Sequence, residues 1–398
     1  LTIAATARRT LELARDRAAG ALLDRQVRTR LAAANTGAPD RFDCVVYFAD
    51  DPGSAYQLRQ WLAPLAKLAK THPTAVLVHK PTTAAALLPD SPLPVFLTTG
   101  IGQVEEFVDS HRVRLVFYVN NNRDNFTVLR LAGPRHVHLS HGESDKISMA
   151  SNQLKAYDYA FIAGAASRER ILGYLHRMDP AKLVEIGRPQ LDTPVRDVKA
   201  YDGGRTTVLY APTWEGDRPA MAYGSAASHG TALVAALLAD PRYRLIFRPH
   251  PRTGVRVPAH RTAVRHITSL IKDAQQQDPV AGHYLDKRPD VAAAMAEADA
   301  CICDISAVAM DWLPHAKPLL VTRPVDPEAE IQDNGITAVV PLLDATDAED
   351  VPSVLAGLLS RPLPNEQTAL VEHHFGDTAP GAGTRRFLDA VELVLQAG

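Results

Sequence analysis

The chain has 398 residues, a formal net charge of -2, 46% hydrophobic residues and 22% charged ones, which excludes a single small domain and suits two ordinary globular ones. Lys+Arg 43 against Asp+Glu 45 leaves no global basic field, so sequence-independent nucleic-acid binding is excluded and phosphate chemistry has to be local. Three cysteines, Cys44, Cys301 and Cys303, lie in or beside apolar runs. They read as packing residues of a protein in a reducing cytoplasm. Cys301 and Cys303 alternate along one strand with no second ligand pair nearby, so no metal is expected.

Residues 2–34 are rich in Ala, Leu and Arg and free of Pro, which predicts a helix. It carries Arg8, Arg9, Arg15, Arg17, Arg25, Arg28 and Arg30 against Glu12, Asp16 and Asp24. Three uses stay open for this basic helix: contact with an anionic membrane surface, a linker, or packing on its own domain. No run approaches the roughly 18 apolar residues that a transmembrane helix needs, and no signal peptide is recognisable. The expectation is a cytoplasmic chain, and its start at Leu1 rather than Met leaves room for an upstream segment.

Past the Gly and Pro of residues 35–40, short apolar runs alternate with helical patterns. Strands are predicted at 44–48, 75–79, 95–98, 114–119, 137–140 and 159–162, with helices at 55–69 and 103–110 and an Ala-rich turn after residue 79. Gly187-Arg188-Pro189-Gln190 and the polar stretch 196–205 predict a hinge. A second set of strands follows at 207–211, 244–247, 300–303 and 318–322, with helices at 231–238, 291–298 and 308–313. A final helix, 384–396, fits either half. The βαβ rhythm predicts two doubly wound α/β domains. The boundaries are 1–40 for the basic helical segment, 41–195 for the first domain and 196–398 for the second.

Four constellations fall at predicted strand ends, where helix N-termini favour anions. His141 is followed by Gly142 and, five residues on, Lys146. This supplies a titratable imidazole, a tight loop and a point charge, or merely a loop before a helix cap. Ala211-Pro212-Thr213-Trp214 offers a hydroxyl, with Trp214 assigned to the core. Arg248-Pro249-His250-Pro251 fixes an imidazole between prolines. It lies within the stretch 241–272, which has eight Lys or Arg and no acid. Asp304-Ile305-Ser306-Ala307 places an acid at a strand end and a serine that either caps a helix or meets a phosphate.

Taken in order, from about residue 42 to the C-terminus, these residues resemble the CDP-glycerol:poly(glycerophosphate) glycerophosphotransferases of teichoic acid and capsule polymer synthesis. The family's His-Gly-Thr-Pro-Leu-Lys keeps His141, Gly142 and Lys146 but has Glu143, Ser144 and Asp145 between them. Ala-Pro-Thr-Trp and Arg-Pro-His-Pro are intact. Asp-Tyr-Ser-Ser becomes Asp304-Ile305-Ser306-Ala307, Gly-Tyr-Pro-Arg-x-Asp becomes Gly187-Arg188-Pro189-Gln190-Leu191-Asp192, and the late Ser/Thr-x-Arg stands as Thr384-Arg385-Arg386. The resemblance implies a GT-B fold, two Rossmann-like domains facing a cleft, with the acceptor on the first and a CDP-glycerol or related CDP-polyol donor on the second.

It further implies attack by a hydroxyl of a polymer or lipid-linked acceptor on the donor phosphorus, with release of CMP, at the inner face of the cell membrane. His141 would be the base and His250 would stabilise phosphate charge or help CMP leave. Lys146, Thr213, Arg248, Asp304, Ser306 and Arg386 would bind substrate. Asp304 is left between a donor hydroxyl and the orientation of His250. No cofactor, metal or nucleic acid is implied. The alternatives are a GT-B glycosyltransferase or UDP-sugar epimerase, and a catalytically silent component that binds nucleotide or polymer.

Overall fold

The computed structural model describes residues 3–143, 150–288, 291–331 and 335–396, and in it the apolar runs form two sheets. The first contains β1 (Cys44–Phe48), β2 (Thr74–Val78), β3 (Val95–Leu97), β4 (Leu115–Tyr118), β5 (Arg135–His138), β6 (Tyr159–Ile162) and β7 (Leu183–Glu185), in the order β3-β2-β1-β4-β5-β6-β7. The second contains β8 (Thr206–Ala211), β9 (Tyr243–Phe247), β10 (Tyr284–Leu285), β11 (Ala300–Cys303), β12 (Leu319–Thr322) and β13 (Leu342–Leu343), in the order β10-β9-β8-β11-β12-β13. All pairings are parallel. Each sheet winds outward from a central strand in both directions, so the switch points lie between β1 and β4 and between β8 and β11. Crevices open there at the carboxyl ends.

Strand alternation divides each sheet between two cores. In β1, Cys44, Val46 and Phe48 face one apolar cluster while Val45 and Tyr47 face another. In β11, Cys301 and Cys303 share one cluster and Ala300 and Ile302 the opposite one, so the cysteine pair is packing, and all three thiols are free and buried. The terminal helix Ala382–Gln396 returns to the first sheet through Phe387, Val391 and Val394. The preceding helix, Asn365–Phe375, packs on the second half through Leu370 and Phe375. The chain therefore crosses between the halves a second time near residue 376.

The N-terminal helix spans Ile3–Ala34. Its last turns pack on the first half through Val27 and Leu31, while Leu22 is 58% exposed. Arg28 Nη1 donates to the Leu97 carbonyl at 3.1 Å, and Asn35 pairs with the backbone of Val95 in both directions. Among the described residues no helix is long and apolar enough to cross a membrane.

Several elements differ from their sequence expectation. The Ala-rich turn is a helix, Pro81–Leu87, with proline at its first position, where no N–H is missed. The strand expected at 137–140 is Arg135–His138. Its two histidines mask an apolar pattern that burial restores, for His136 lies between the Tyr118 hydroxyl and the Leu131 carbonyl, both at 2.8 Å. β7, β10 and β13 are two or three residues long, too short to show a period.

Candidate active site

The site is built where the two carboxyl-end rims meet. On the first half β5 ends at His138, and Leu139 extends the ladder by donating to the Tyr118 carbonyl at 2.7 Å. Ser140 then takes a left-handed conformation, φ 59, a cost normally left to Gly or Asn. Its carbonyl is held by the Trp61 indole N–H at 2.6 Å. This turn delivers His141, whose Nδ1 stands 3.3 Å from the Val119 carbonyl. A carbonyl can only accept, so the neutral imidazole carries its proton on Nδ1 and Nε2 is the basic nitrogen.

On the second half β9 ends at Phe247, and His250 N donates to the Pro212 carbonyl at 3.1 Å. Here the Arg252 backbone N–H donates to His250 Nδ1 at 3.1 Å. Nδ1 is thus an acceptor, and in the neutral ring Nε2 carries the proton. The two neutral imidazoles are thus held in opposite tautomers, with Nε2 unprotonated in His141 and protonated in His250.

One residue brings them together. Tyr56, at the start of the helix Tyr56–Leu68, lies edge-on to both rings, 6.3 Å from His141 and 5.7 Å from His250 between centroids. A tyrosine on an apparently amphipathic helix gives no signal of this in the sequence. Gly142 closes the same junction, because a Cβ there would stand 3.1 Å from that of Ala307, at the start of the helix Ala307–Trp312.

Ser306, a residue 5% exposed, precedes that helix and makes no capping bond; its Oγ is buried without a partner. The capping alternative is thereby removed. Thr213 is buried, and its N–H donates to Asp304 Oδ2 at 2.6 Å. Asp304 also accepts from Ser225 N at 3.1 Å and from the Thr322 hydroxyl at 2.5 Å, and it is fully buried. Burial raises its pKa against these hydrogen bonds. Both oxygens are spent inside the fold, which corrects the expectation of a substrate ligand or a partner of His250: Asp304 fastens the Thr213 loop from behind.

Trp214 also departs from expectation. It is half-buried beneath Arg252, whose guanidinium carbon lies 3.9 Å from the ring centroid, a cation–π contact on the site wall rather than a core position. The adjacent Glu215 accepts from the N–H groups of Gly254, Arg256 and Val257 at 2.8–3.0 Å. Burial alone would raise its pKa, but these backbone bonds leave it lowered. Sequence reasoning gave Glu215 no part, yet it shapes the loop that follows His250. Arg248 donates through Nη1 to Asp286, itself buried and shared with Arg288 Nε at 2.6 Å.

Arg386 is turned to the main chain. Its Nη2 donates to the carbonyls of Phe375 and Asp377, both at 2.8 Å, against Gly187, whose φ of +72 suits glycine. Asp192 accepts from Gly381 N at 2.8 Å and Thr384 N at 2.6 Å. The late Thr-Arg-Arg element and the Gly-Arg-Pro-Gln-x-Asp element therefore meet at the second crossover, where Arg386 ties main-chain carbonyls together, while Gly187, Arg188 and Gln190 line one pocket with Ser140 and Gly142 beside His141. Arg188 joins the halves by a two-pronged pair with Asp311 at 2.8 and 3.0 Å. Glu143 is buried on Arg170 and Ser167. Lys146 lies outside the described residues. Among the described residues no group of three or more His, Cys, Asp or Glu is placed to hold a metal ion.

Residues 119–327 match the family described as CDP-Glycerol:Poly(glycerophosphate) glycerophosphotransferase. Among solved structures, two variants of the wall teichoic acid polymerase TagF superpose with TM-scores of 0.57 and 0.55 at 12% identity, covering 100% of this chain and 99% of theirs; the second was soaked with CDPG. A putative UDP-N-acetylglucosamine 2-epimerase from Listeria monocytogenes gives a TM-score of 0.59 at 14% identity, over 90% of this chain and 98% of that one. No curated protein matches the chain.

Proposed function

The chain belongs to the CDP-glycerol:poly(glycerophosphate) glycerophosphotransferase family and has the GT-B fold, and from this premise we propose how its cleft performs the transfer. An acceptor hydroxyl attacks the donor phosphorus that bears glycerol. The new O–P bond forms as the P–O bond to CMP breaks. His141 Nε2 takes the acceptor proton, and His250 Nε2–H hydrogen-bonds the phosphate oxygens as CMP leaves. Ser306, Arg248 and the Thr213 loop receive the donor phosphates, with charge neutralisation and positioning carrying the catalysis. The observation that carries this reading is the opposed pair of imidazoles on Tyr56 within the region matched to the family.

The acceptor of this reading is a polyol phosphate chain, polymeric or lipid-linked. The Arg-rich helix Ile3–Ala34 would bring the enzyme to the anionic inner surface of the membrane, each basic residue near such a surface being worth about 1 kcal/mol. Salt-sensitive flotation with anionic liposomes, lost on deletion of residues 1–34, tests that part. The activity is tested by supplying CDP-glycerol, CDP-ribitol and UDP-sugars in turn and following CMP or UDP. Release of CMP with acceptor-dependent product is expected. Turnover of a UDP-sugar alone would replace the proposal with epimerase or glycosyltransferase chemistry.

A further inference from the structure

The first switch point, between β1 and β4, carries side chains that no motif named. Asp50 follows β1 and Asn120 follows β4. Asn120 is 9% exposed, and its Nδ2 donates to Asp50 Oδ2 at 2.5 Å and to Gln57 Oε1 at 2.7 Å. Gln57 Nε2 in turn reaches the Tyr56 hydroxyl at 3.5 Å. A polar chain thus runs from the switch-point crevice to the tyrosine that touches both histidines. Asn120 spends both of its N–H groups holding it, and its Oδ1 takes Asn122 N at 3.3 Å.

Two atoms of this chain remain available. Asp50 is half-buried, and its Oδ1 receives no hydrogen bond from the described residues. The Tyr56 hydroxyl accepts from Gln57, so its own proton is left to donate. Burial raises the Tyr56 pKa and keeps that proton in place. Asp51 is neutralised by Lys80 at 2.8 Å, but the half-buried Asp50 carboxylate has no cation paired to it among the described residues and repels phosphate, whereas the opposite wall holds Arg248 and Arg252. The chemistry that fits Asp50 is therefore an uncharged, hydroxylated group, for which an ionised acceptor makes a strong hydrogen bond.

We propose that Asp50 Oδ1 and the Tyr56 hydroxyl form the acceptor subsite. Asp50 accepts from a non-reacting hydroxyl of the terminal polyol, Tyr56 donates to its neighbouring oxygen, and Asn120 and Gln57 act as positioning residues. The attacking hydroxyl is thereby turned toward His141. This rests on the reading of His141 as the base of a polyol phosphate transfer.

The test is calorimetry without nucleotide, using a synthetic glycerol phosphate trimer and an analogue whose end unit lacks the secondary hydroxyl. The wild type is expected to bind the trimer more tightly than the analogue. Asp50→Asn and Tyr56→Phe, both near-isosteric, are expected to weaken trimer binding about tenfold and abolish the preference, with CDP-glycerol affinity within twofold of wild type. Unchanged trimer affinity, a retained preference, a parallel loss of donor affinity, or a wild type that does not bind the trimer each overturns the subsite. Trimer binding with the expected losses, but no CDP-glycerol binding by the wild type, leaves the subsite standing and removes the donor reading instead.

Discussion

The two walls of the cleft fix their histidines by opposite means. On the first, a left-handed Ser140 and the Trp61 indole set His141 against a carbonyl, so the imidazole faces an acceptor. On the second, buried carboxylates organise the loops, Asp304 beneath Thr213 and Glu215 beneath residues 254–257, and His250 faces a backbone donor. The lesson is that the role of a histidine is decided by the main-chain group opposite Nδ1, not by the motif that contains it. Opposite tautomers arise from identical side chains about one tyrosine.

The largest effect should come from dividing these roles. His141→Ala is expected to lower transfer by about 10²–10⁴-fold, the usual worth of general base catalysis, while CDP-glycerol binding in calorimetry stays within a few-fold. His250→Ala should lower both rate and donor affinity if its Nε2–H meets the donor phosphates as proposed. Equal loss of donor binding in the two variants would show that the walls do not divide acceptor from donor.

The next effect separates organisation from contact. Asp304→Ala leaves the Thr213 and Ser225 N–H groups and the Thr322 hydroxyl without their acceptor. With each buried unsatisfied group costing about 1–3 kcal/mol, urea denaturation should show a loss of at least about 3 kcal/mol. A variant of wild-type stability that fails only in donor binding would return Asp304 to the ligand.

A smaller effect compares the halves through pH. His283 is 2% exposed and its Nδ1 accepts from Leu245 N at 2.9 Å; burial and the neighbouring Arg205 lower its pKa to about 4. The unfolded chain binds this proton from about pH 6.5 downward. Stability is therefore complete above that pH and declines as pH falls toward 4. His138, on the first half, is lowered further, to about 3, by burial and by His141. His283→Asn, whose Oδ1 can replace Nδ1 as acceptor, should make the fall of Tm between pH 6.5 and 4 shallower by a few degrees. An unchanged slope would place the acid sensitivity in other groups, His138 among them.

Periodicity made the sheets legible because both are buried on two faces and read as apolar runs. It missed β10 and β13, where two residues per strand carry no period, and misplaced β5, whose His136 and His138 are core residues despite their polarity. Within the site, His141, His250, Thr213 and Ser306 were visible because short motifs hold them at strand ends. Asp304 and Arg386 were visible too, but their partners were not. Whether a carboxylate turns to a ligand or to backbone N–H groups depends on Ser225 and Thr322, distant in sequence. Tyr56, Glu215 and Asp50 were missed for the same reason, since each is defined by a contact across the fold.

The smallest effect belongs to Ser306. The Thr213 N–H and Arg248 there are satisfied by carboxylates and His250 Nδ1 by a backbone N–H, yet this hydroxyl is buried with no partner. An N-cap serine replaced by alanine costs about 1 kcal/mol, but no capping bond exists to lose, and removing a desolvated, unpaired hydroxyl is neutral or stabilising. Ser306→Ala should therefore keep or slightly raise Tm. If the hydroxyl is completed by a donor phosphate, the same variant should weaken CDP-glycerol and CMP binding about three- to tenfold, one hydrogen bond's worth. A fall in Tm with intact donor affinity would make Ser306 a helix cap. Unchanged Tm with unchanged affinity would remove it from the phosphate site, leaving Arg248 and the Thr213 loop to hold the donor.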